Sequence, residues 1–271
     1  MSLPLIIGHR GASGSAPENT LSAFAQAIAD GADGVEFDVR LTRDQVPVVI
    51  HDATLRRTAL RDAEIASLSS SELRETDAGT WFNRKFPALA HTEFSRQHIP
   101  TLAEVFALIG ARSQVLYVEM KLEETTPCAP LVEAAAREIR AHDLASRVVV
   151  ESFRLDAVRE LKRHAPELRT AALFERRLSR PVLPRRTIIA RALEVRADEI
   201  ALHRTLARRA VVAEARAQGM EALVWTADNP VWVRRALAFG LRAVITNHPA
   251  RLCAERARLR AEAAQLRAED A

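Results

Sequence analysis

Cysteine and lysine are both scarce in this chain of 271 residues. The two cysteines, Cys128 and Cys253, lie far apart in the sequence, and no Cys or His stands beside them at zinc-ligand spacing. Their placement excludes a disulfide framework and a cysteine-based zinc site, and it favours a reduced compartment, the cytoplasm. Only three lysines occur among the 39 basic residues, so a lysine within a motif, such as Lys121, is conspicuous.

Long apolar runs and a large surplus of one charge are also absent. The amino-terminal apolar run ends at Gly8-His9-Arg10, which makes it too short for a signal peptide or a membrane span. The formal net charge is only +4, far from the polycationic surface that neutralises many phosphates. We therefore expect neither a nucleic-acid partner nor a membrane span.

Short apolar runs alternate with longer amphipathic segments, the pattern of parallel strands joined by crossover helices. The predicted strands are residues 4–8, 34–40, 115–121, 147–153, 169–174, 198–203, 221–226 and 243–246, with a further short strand at 47–50. The predicted helices are residues 19–30, 101–110, 129–142, 154–164, 187–195, 206–218 and 229–239. This succession predicts an α/β fold, the (β/α)₈ TIM barrel. An open doubly wound sheet is the alternative, but no glycine-rich dinucleotide fingerprint follows a strand.

Two segments depart from this alternation. Residues 53–100 carry no clear strand–helix unit and are predicted to form a small insertion after the second strand. The catalytic domain is expected to span residues 1–250, with residues 251–271 as a C-terminal helix. Leucines recur every seven residues in that helix, at Leu252, Leu259 and Leu266, so it either pairs two chains as a homodimer or packs on its own barrel.

Paired polar side chains mark two of the predicted strands. Because strand side chains alternate, Glu36 and Asp38 share one face, and so do Glu119 and Lys121. Two carboxylates so close repel each other unless a cation lies between them, and a divalent cation with oxygen ligands is the natural partner. Glu119 would add a third carboxylate, and Lys121 a positive charge for an anionic substrate.

Two histidines follow apolar strands. His9 comes directly after the first strand, and His51 follows the short strand at 47–50. Active sites of (β/α)₈ barrels lie at the carboxyl ends of the strands, and imidazoles titrate near neutrality, which suits acid–base chemistry. A salt bridge to arginine is the competing explanation for one carboxylate pair, but it does not account for polar residues at three successive strand regions.

Together these motifs resemble the glycerophosphodiester phosphodiesterase family. The residues that carry the resemblance run in order over nearly the whole chain: His9-Arg10-Gly11, Pro17-Glu18-Asn19-Thr20, Glu36-Phe37-Asp38-Val39, His51-Asp52, Ile99-Pro100-Thr101-Leu102, Glu119-Met120-Lys121, Ser152-Phe153, Trp225-Thr226 and Thr246-Asn247. The combination of His-Arg-Gly with Pro-Glu-Asn-Thr at this spacing is highly specific.

The resemblance implies metal-dependent hydrolysis of glycerophosphodiesters to sn-glycerol 3-phosphate and an alcohol, within lipid and glycerol metabolism. The implied site residues are Glu36, Asp38 and Glu119 as ligands of Mg²⁺ or Ca²⁺, His9 and His51 as general acid and base in either order, and Arg10, Lys121 and Trp225 as substrate-binding residues. The implied partner is a small-molecule glycerophosphodiester.

Two other functions stay open at this point. A lysophospholipase D-like phosphodiesterase would need an apolar membrane-binding loop, for which Trp81-Phe82 is the only hint, and a non-catalytic glycerophosphodiester-binding barrel would keep the fold alone. The chain has Asp228 and Asn247 where the family often has Asn and Asp, which we expect to alter the fit of the pocket and not the reaction.

An arginine-rich segment, residues 175–186, follows the fifth predicted barrel strand. It is expected on the face of the barrel that carries the site. Arg176, Arg177 and Arg180 either steer anionic substrates inward or form a solvated cluster.

Overall fold

Eight parallel strands close a barrel in the computed structural model, which describes residues 3–176 and 183–269. The strands are β1 (Leu5–His9), β2 (Gly34–Leu41), β3 (Pro47–Val49), β4 (Val115–Met120), β5 (Val148–Ser152), β6 (Arg169–Phe174), β7 (Glu199–His203), β8 (Glu221–Trp225) and β9 (Ala243–Thr246). Strand β1 pairs with both β9 and β2, which closes the barrel, and β3 lies antiparallel on β2. The predicted (β/α)₈ fold is confirmed, including the extra short strand.

Helices connect the strands and cover the outside of the barrel. Those within the described residues are α1 (Leu21–Ala29), α2 (Ser70–Arg74), α3 (Thr80–Lys85), α4 (Leu102–Ile109), α5 (Ala129–Ala141), α6 (Leu155–His164), α7 (Arg185–Glu194), α8 (Arg209–Ala217), α9 (Val231–Phe239) and α10 (Pro249–Glu269). Local sequence sets several of their ends. Thr20 accepts the N–H of Ala23 as the cap of α1, and Gly240 ends α9 with φ of 76°.

Side-chain alternation along β2 separates the apolar shell from the barrel interior. Phe37 points outward, where its ring lies 5.5 Å from that of Phe24 and 6.3 Å from that of Phe106, centroid to centroid. Glu36 and Asp38 therefore point inward, and both are almost completely buried. Strand geometry alone thus brings two carboxylates into a closed barrel.

The insertion has a small core of its own and no strand–helix unit. Short helices and turns pack there around buried residues that include Leu55, Ile65 and Leu73. Trp81 is 9% exposed and Phe82 is 1% exposed, and the indole N–H of Trp81 donates to the carbonyl oxygen of Ala78. Because both aromatic rings are buried, they do not form the apolar membrane-binding loop that a lysophospholipase D-like activity would need.

The C-terminal helix packs on the barrel of its own chain. Leu252 and Leu259 are buried in the cluster that contains α8 and α9 side chains, whereas Leu266 is 62% exposed. Pairing of two chains through α10 stays a prediction. Cys128 and Cys253 are both free thiols.

Two further expectations concern the surface of the chain. Arg177 and Arg180, part of the expected steering segment, lie outside the described residues. Among residues 3–176 and 183–269, no helix combines the length and the apolar character needed to cross a membrane.

Candidate active site

The polar residues predicted for the site meet at the carboxyl ends of three strands. The register of the paired strands brings these side chains together. His9 on β1 lies opposite Glu36 on β2, and Asp38 on β2 lies opposite Glu119 on β4. Neighbouring side chains of paired parallel strands point to the same side of the sheet. The closed barrel therefore turns a pattern spread over more than a hundred residues of sequence into one cluster.

Three buried carboxylates form the centre of this cluster. Glu36, Asp38 and Glu119 are 2%, 0% and 7% exposed, and one oxygen from each lies within 4.8 Å of the others. Burial and the neighbouring carboxylates Asp38 and Glu119 raise the pKa of Glu36 well above its ordinary value, and burial raises the pKa of Glu119 to about 7. Converging hard oxygen donors of this kind fit a divalent cation such as Mg²⁺ or Ca²⁺.

Two cationic side chains contact the same carboxylates. The Lys121 ammonium lies 3.1 Å from Oδ1 of Asp38 and 2.7 Å from Oε1 of Glu119, and Nε of Arg10 lies 3.0 Å from Oδ2 of Asp38. Burial raises the pKa of Asp38, but Arg10 and Lys121 outweigh it and hold that pKa well below its usual range. Asp38 is consequently ionised, and both cations stand beside the space that the carboxylates enclose.

His9 is held in a defined orientation by an amide. Its Nδ1 lies 2.7 Å from Oδ1 of Asn247, and the Nδ2 group of Asn247 donates to Asp228 at 2.9 Å, which fixes which end of the amide faces the ring. Nδ1 of His9 must therefore carry the proton, and Nε2, 3.8 Å from Glu36, has a free lone pair. Burial, together with Arg10, lowers the pKa of His9 to about 4.

His51 is held by a carboxylate and not by an amide. Its Nδ1 lies 2.6 Å from Oδ1 of Asp52, and its backbone carbonyl accepts a hydrogen bond from Arg40 at 2.8 Å. Burial lowers the pKa of His51, while the hydrogen bond to Asp52 opposes the shift. The two imidazoles thus differ in their partners, since one contacts a neutral group and the other a negative one.

The predicted residues border one cavity of about 130 Å³. Its walls are formed by His9, Arg10, Glu36, His51, Glu119, Lys121, Glu151, Phe153, Leu173, Glu175, Trp225 and Ile245. Asp38 lies directly behind this wall, bonded to Lys121 and Arg10. All eight residues named from the sequence are therefore brought together.

Trp225 lines the cavity with its ring edge-on to two neighbours. Its ring centroid is 5.4 Å from that of Phe153 and 5.2 Å from that of His203. The indole Nε1 is buried and donates no hydrogen bond within the described part of the chain. A buried donor without an acceptor destabilises a folded protein unless a ligand accepts its hydrogen bond.

Several residues that position the site were not identified from the sequence. Asn19 donates from Nδ2 to Asp38 at 2.8 Å and adopts a left-handed φ of 58°, although its motif indicates only a helix cap. Glu18 joins Arg10 to Arg57, and Arg57 in turn reaches Asp52 beside His51. The Pro-Glu-Asn-Thr motif was the local signal for Glu18 and Asn19, whereas the contacts of Arg57 run from the insertion to Glu18 and Asp52 and have no local signal.

Asn247 contacts one of the predicted histidines. We expected the Asp228 and Asn247 differences from the family pattern to alter the fit of the pocket and not the reaction, and that stays a prediction. Oδ1 of Asn247 accepts a hydrogen bond from Nδ1 of His9, and the backbone and side-chain N–H groups of Asn247 donate to Asp228. The difference therefore concerns the environment of an imidazole as well as the shape of the pocket.

Fold and site define the class of this protein: a (β/α)₈-barrel enzyme whose catalytic end combines carboxylates, imidazoles and cationic side chains. Residues 9–251 match the model of the glycerophosphoryl diester phosphodiesterase family. The chain belongs to this family, which makes it a phosphoric diester hydrolase.

Relatives with this name share most of their length with the chain. A glycerophosphodiester phosphodiesterase of Caldanaerobacter subterraneus subsp. tengcongensis is 31% identical over 92% of this chain and 96% of its own length. A probable glycerophosphodiester phosphodiesterase 1 of Mycobacterium tuberculosis is 32% identical over 92% of this chain and 90% of its own.

Solved structures agree in fold. A phosphodiesterase of Oleispira antarctica, determined in complex with the product sn-glycerol-3-phosphate, is 28% identical with a TM-score of 0.81, covering 93% of this chain and 96% of its own. A putative glycerophosphoryl diester phosphodiesterase of Silicibacter pomeroyi, also 28% identical, has a TM-score of 0.83 and covers 95% of this chain and 94% of its own.

Proposed function

We propose that this enzyme hydrolyses glycerophosphodiesters to sn-glycerol 3-phosphate and an alcohol, using a divalent cation and two histidines. The observation that carries the proposal is the convergence of three buried carboxylates, two cations and two imidazoles on one cavity. That cavity, about 130 Å³, suits a small polar substrate. The product named in the Oleispira antarctica complex, sn-glycerol-3-phosphate, supports the same substrate class for this chain.

Glu36, Asp38 and Glu119 would hold the cation, Mg²⁺ or Ca²⁺. When bound there, the cation supplies Lewis-acid polarisation of a phosphoryl oxygen. Arg10 and Lys121 would bind the remaining phosphate oxygens, since their cationic groups already stand at the carboxylates and line the cavity. These fixed positive charges stabilise negative charge that builds up on the phosphoryl group.

His9 is proposed as the general base and His51 as the general acid. A base must be neutral before the reaction, and His9 has a neutral amide at Nδ1 and a free lone pair at Nε2. An acid must hold a proton, and the Asp52 carboxylate at Nδ1 of His51 stabilises an imidazolium. His9 would take the proton of the attacking nucleophile, which is either water or a glycerol hydroxyl that forms a cyclic phosphate later opened by water, and His51 would protonate the departing alcohol.

Release of sn-glycerol 3-phosphate from glycerophosphocholine and glycerophosphoethanolamine tests the function. We expect release with Mg²⁺ or Ca²⁺, none with EDTA, and loss of release in His9→Ala and Glu36→Ala proteins that remain folded. Folded wild-type protein that releases no product with either cation would contradict the proposal.

A substrate with p-nitrophenol as the alcohol assigns the histidines, because this group departs without a proton. A general acid or base contributes about 10²–10⁴-fold to the rate. On this substrate His51→Ala should recover most of its activity, whereas His9→Ala should stay inactive. Recovery of His9→Ala alone would reverse the assignment.

The cytoplasm is the proposed location of the enzyme. Both cysteines are free and partly buried, and they lie far apart in the sequence. Fractionation of the producing cell tests this, and activity in the soluble fraction of the cytoplasm is the expected result.

A further inference from the structure

A fourth buried acidic side chain, Glu151, points into the same cavity. It lies on β5 directly opposite Glu119 of β4 in the register of the parallel strands. Glu151 is 1% exposed and lines the cavity together with Glu36 and Glu119. It belongs to neither the three-carboxylate cluster nor the acid–base pair described above.

Glu151 lacks the partners that a buried carboxylate needs. Its Oε2 is buried and accepts no hydrogen bond within residues 3–176 and 183–269. No Lys, Arg or His of those residues forms an ion pair with it, and the nearest site cation, Lys121, is bound to Asp38 and Glu119. A buried carboxyl group without a partner destabilises the folded chain unless something that it binds compensates it.

Another buried glutamate of this barrel, Glu199, has a structural role and serves as a comparison. Glu199 on β7 is 0% exposed, yet it accepts the hydroxyl of Tyr117 at 2.9 Å and pairs with Arg169 at 2.8 Å. The chain itself supplies both the hydrogen-bond donor and the positive charge that this buried carboxylate needs. Glu151 has neither kind of partner, and its side chain lines the cavity that Glu36 and Glu119 also line.

We propose that Glu151 is a fourth carboxylate of the cation site and that it makes the site prefer Ca²⁺ to Mg²⁺. The inference rests on the proposed function, which places a divalent cation between Glu36, Asp38 and Glu119. Ca²⁺ takes about six to eight oxygen ligands in flexible geometry, whereas Mg²⁺ keeps several waters in a strict octahedron and uses fewer carboxylates. A further oxygen donor from β5 therefore benefits the larger ion more.

Calorimetric titration of Ca²⁺ and Mg²⁺ into wild-type and Glu151→Gln protein, without substrate, tests the proposal. The substitution keeps the shape of the side chain and removes its charge. We expect the Kd for Ca²⁺ to rise at least about 10–100-fold, because loss of a carboxylate ligand should cost no less than loss of an outer group that supports a ligand, and the Kd for Mg²⁺ to rise less. The melting temperature of the metal-free protein should not fall, because an unpartnered buried acid is removed.

Glu123→Gln is the matched control. Glu123 is 62% exposed and paired with Arg40 close after Lys121, so the same charge is lost outside the cavity. Unchanged Ca²⁺ and Mg²⁺ affinities in Glu151→Gln would overturn the proposal, as would equal losses in both carboxylate variants. Equal losses for the two ions in Glu151→Gln alone would overturn the Ca²⁺ preference.

The same titration separates this inference from the proposed function. Wild-type protein that binds neither ion would overturn both, since no cation site would exist for Glu151 to join. Wild-type protein that binds a cation, and loses it in Glu36→Gln but not in Glu151→Gln, would overturn this inference alone.

Discussion

The two ends of the barrel interior differ in whether their buried carboxylates are paired with cationic side chains. At the amino-terminal end, Glu199 is surrounded by a tyrosine hydroxyl and by Arg169 and Arg242, with Arg242 3.7 Å away. At the carboxyl-terminal end, the four carboxylates Glu36, Asp38, Glu119 and Glu151 lie near two cations, and Arg10 and Lys121 pair there with Asp38 and Glu119 but not with Glu36 or Glu151. Of these two places in the described part of the chain, carboxylates outnumber cations at the cavity and not around Glu199.

This difference separates charges that stabilise the fold from charges kept for a ligand. A buried carboxylate with its partners in the chain contributes to the folded state, although it seldom improves on an apolar packing. Carboxylates in excess destabilise the metal-free protein and are explained by something they bind. Removing one residue from each end should therefore have opposite effects on stability and on function.

Glu36→Gln, at the carboxyl-terminal end, should have the largest effect on function. It removes one ligand, so cation affinity should fall more than about 100-fold, the upper end for loss of an outer-shell partner, and turnover should fall with it. The melting temperature of the metal-free protein should hold or rise, because Glu36 repels Asp38 and Glu119. A large fall in that temperature would show that Glu36 is structural.

Glu199→Gln, at the opposite end, should reverse that pattern. Arg169 and Arg242 lose their partner, so the free energy of unfolding should fall by about 2–3 kcal/mol, less than for a fully buried pair. Cation affinity, measured by calorimetry on the folded variant, should not change. Tyr117→Phe, which removes one hydrogen bond, is the milder companion and should cost about 1 kcal/mol.

The pH dependence of cation binding should sharpen the comparison further. Burial raises the pKa of Glu119 to about 7, and a cation must displace that proton, so affinity should fall about tenfold for each pH unit below 7. Titration in buffers of different ionisation enthalpy should detect at least one proton released per cation.

Stability of the metal-free protein should show the opposite trend with pH. The ordinary pKa of Glu119 is 4.5, so between about pH 5 and about pH 7 the folded chain keeps a proton that the unfolded chain has lost. The carboxyl-terminal end should therefore lose stability as pH rises through that window, and a bound cation should restore it. His9, whose pKa is lowered to about 4, contributes the opposite slope below about pH 6.5, so thermal melts with EDTA and with Ca²⁺ should compare wild-type with Glu119→Gln protein. A metal-free stability difference between the two, wild type minus variant, that rises from about pH 5 to about pH 7 would contradict the assignment.

Trp225→Phe should have the smallest effect. It keeps the ring in the cavity and removes the unpartnered indole N–H, so kcat/KM should fall about fivefold to tenfold, the value of one hydrogen bond of about 1–1.5 kcal/mol. Trp232→Phe, on α9 outside the cavity, is the control and should leave kcat/KM unchanged. Equal values for the two variants would show that the N–H makes no contact with substrate.

Much of the site was predictable because it lies on strands. Alternation places Glu36 and Asp38 on one face without knowledge of the fold, and the same argument places Glu119 beside Lys121. The observed strands differ from the predicted ones by at most one residue at each end. The convergence of the carboxylates, His9 and Lys121 then follows from closure of a parallel barrel.

Residues held by contacts distant in sequence could not be predicted in the same way. Asn247 contacts His9 across 238 positions, and Arg57 contacts Glu18 from the insertion. Glu151 appeared to be one polar residue in an apolar strand, and its lack of a partner could be seen only from the surrounding atoms.

The sequence by itself determined the alternation of strands and helices, the faces that carry carboxylates and the residue types that suit phosphodiester chemistry. These features depend on local periodicity and on the chemistry of single side chains. Tertiary structure decided which charges are compensated, how each imidazole is oriented and which buried groups remain without a partner. Burial and pairing are sums over neighbours from many strands, and closing the barrel is what chooses those neighbours.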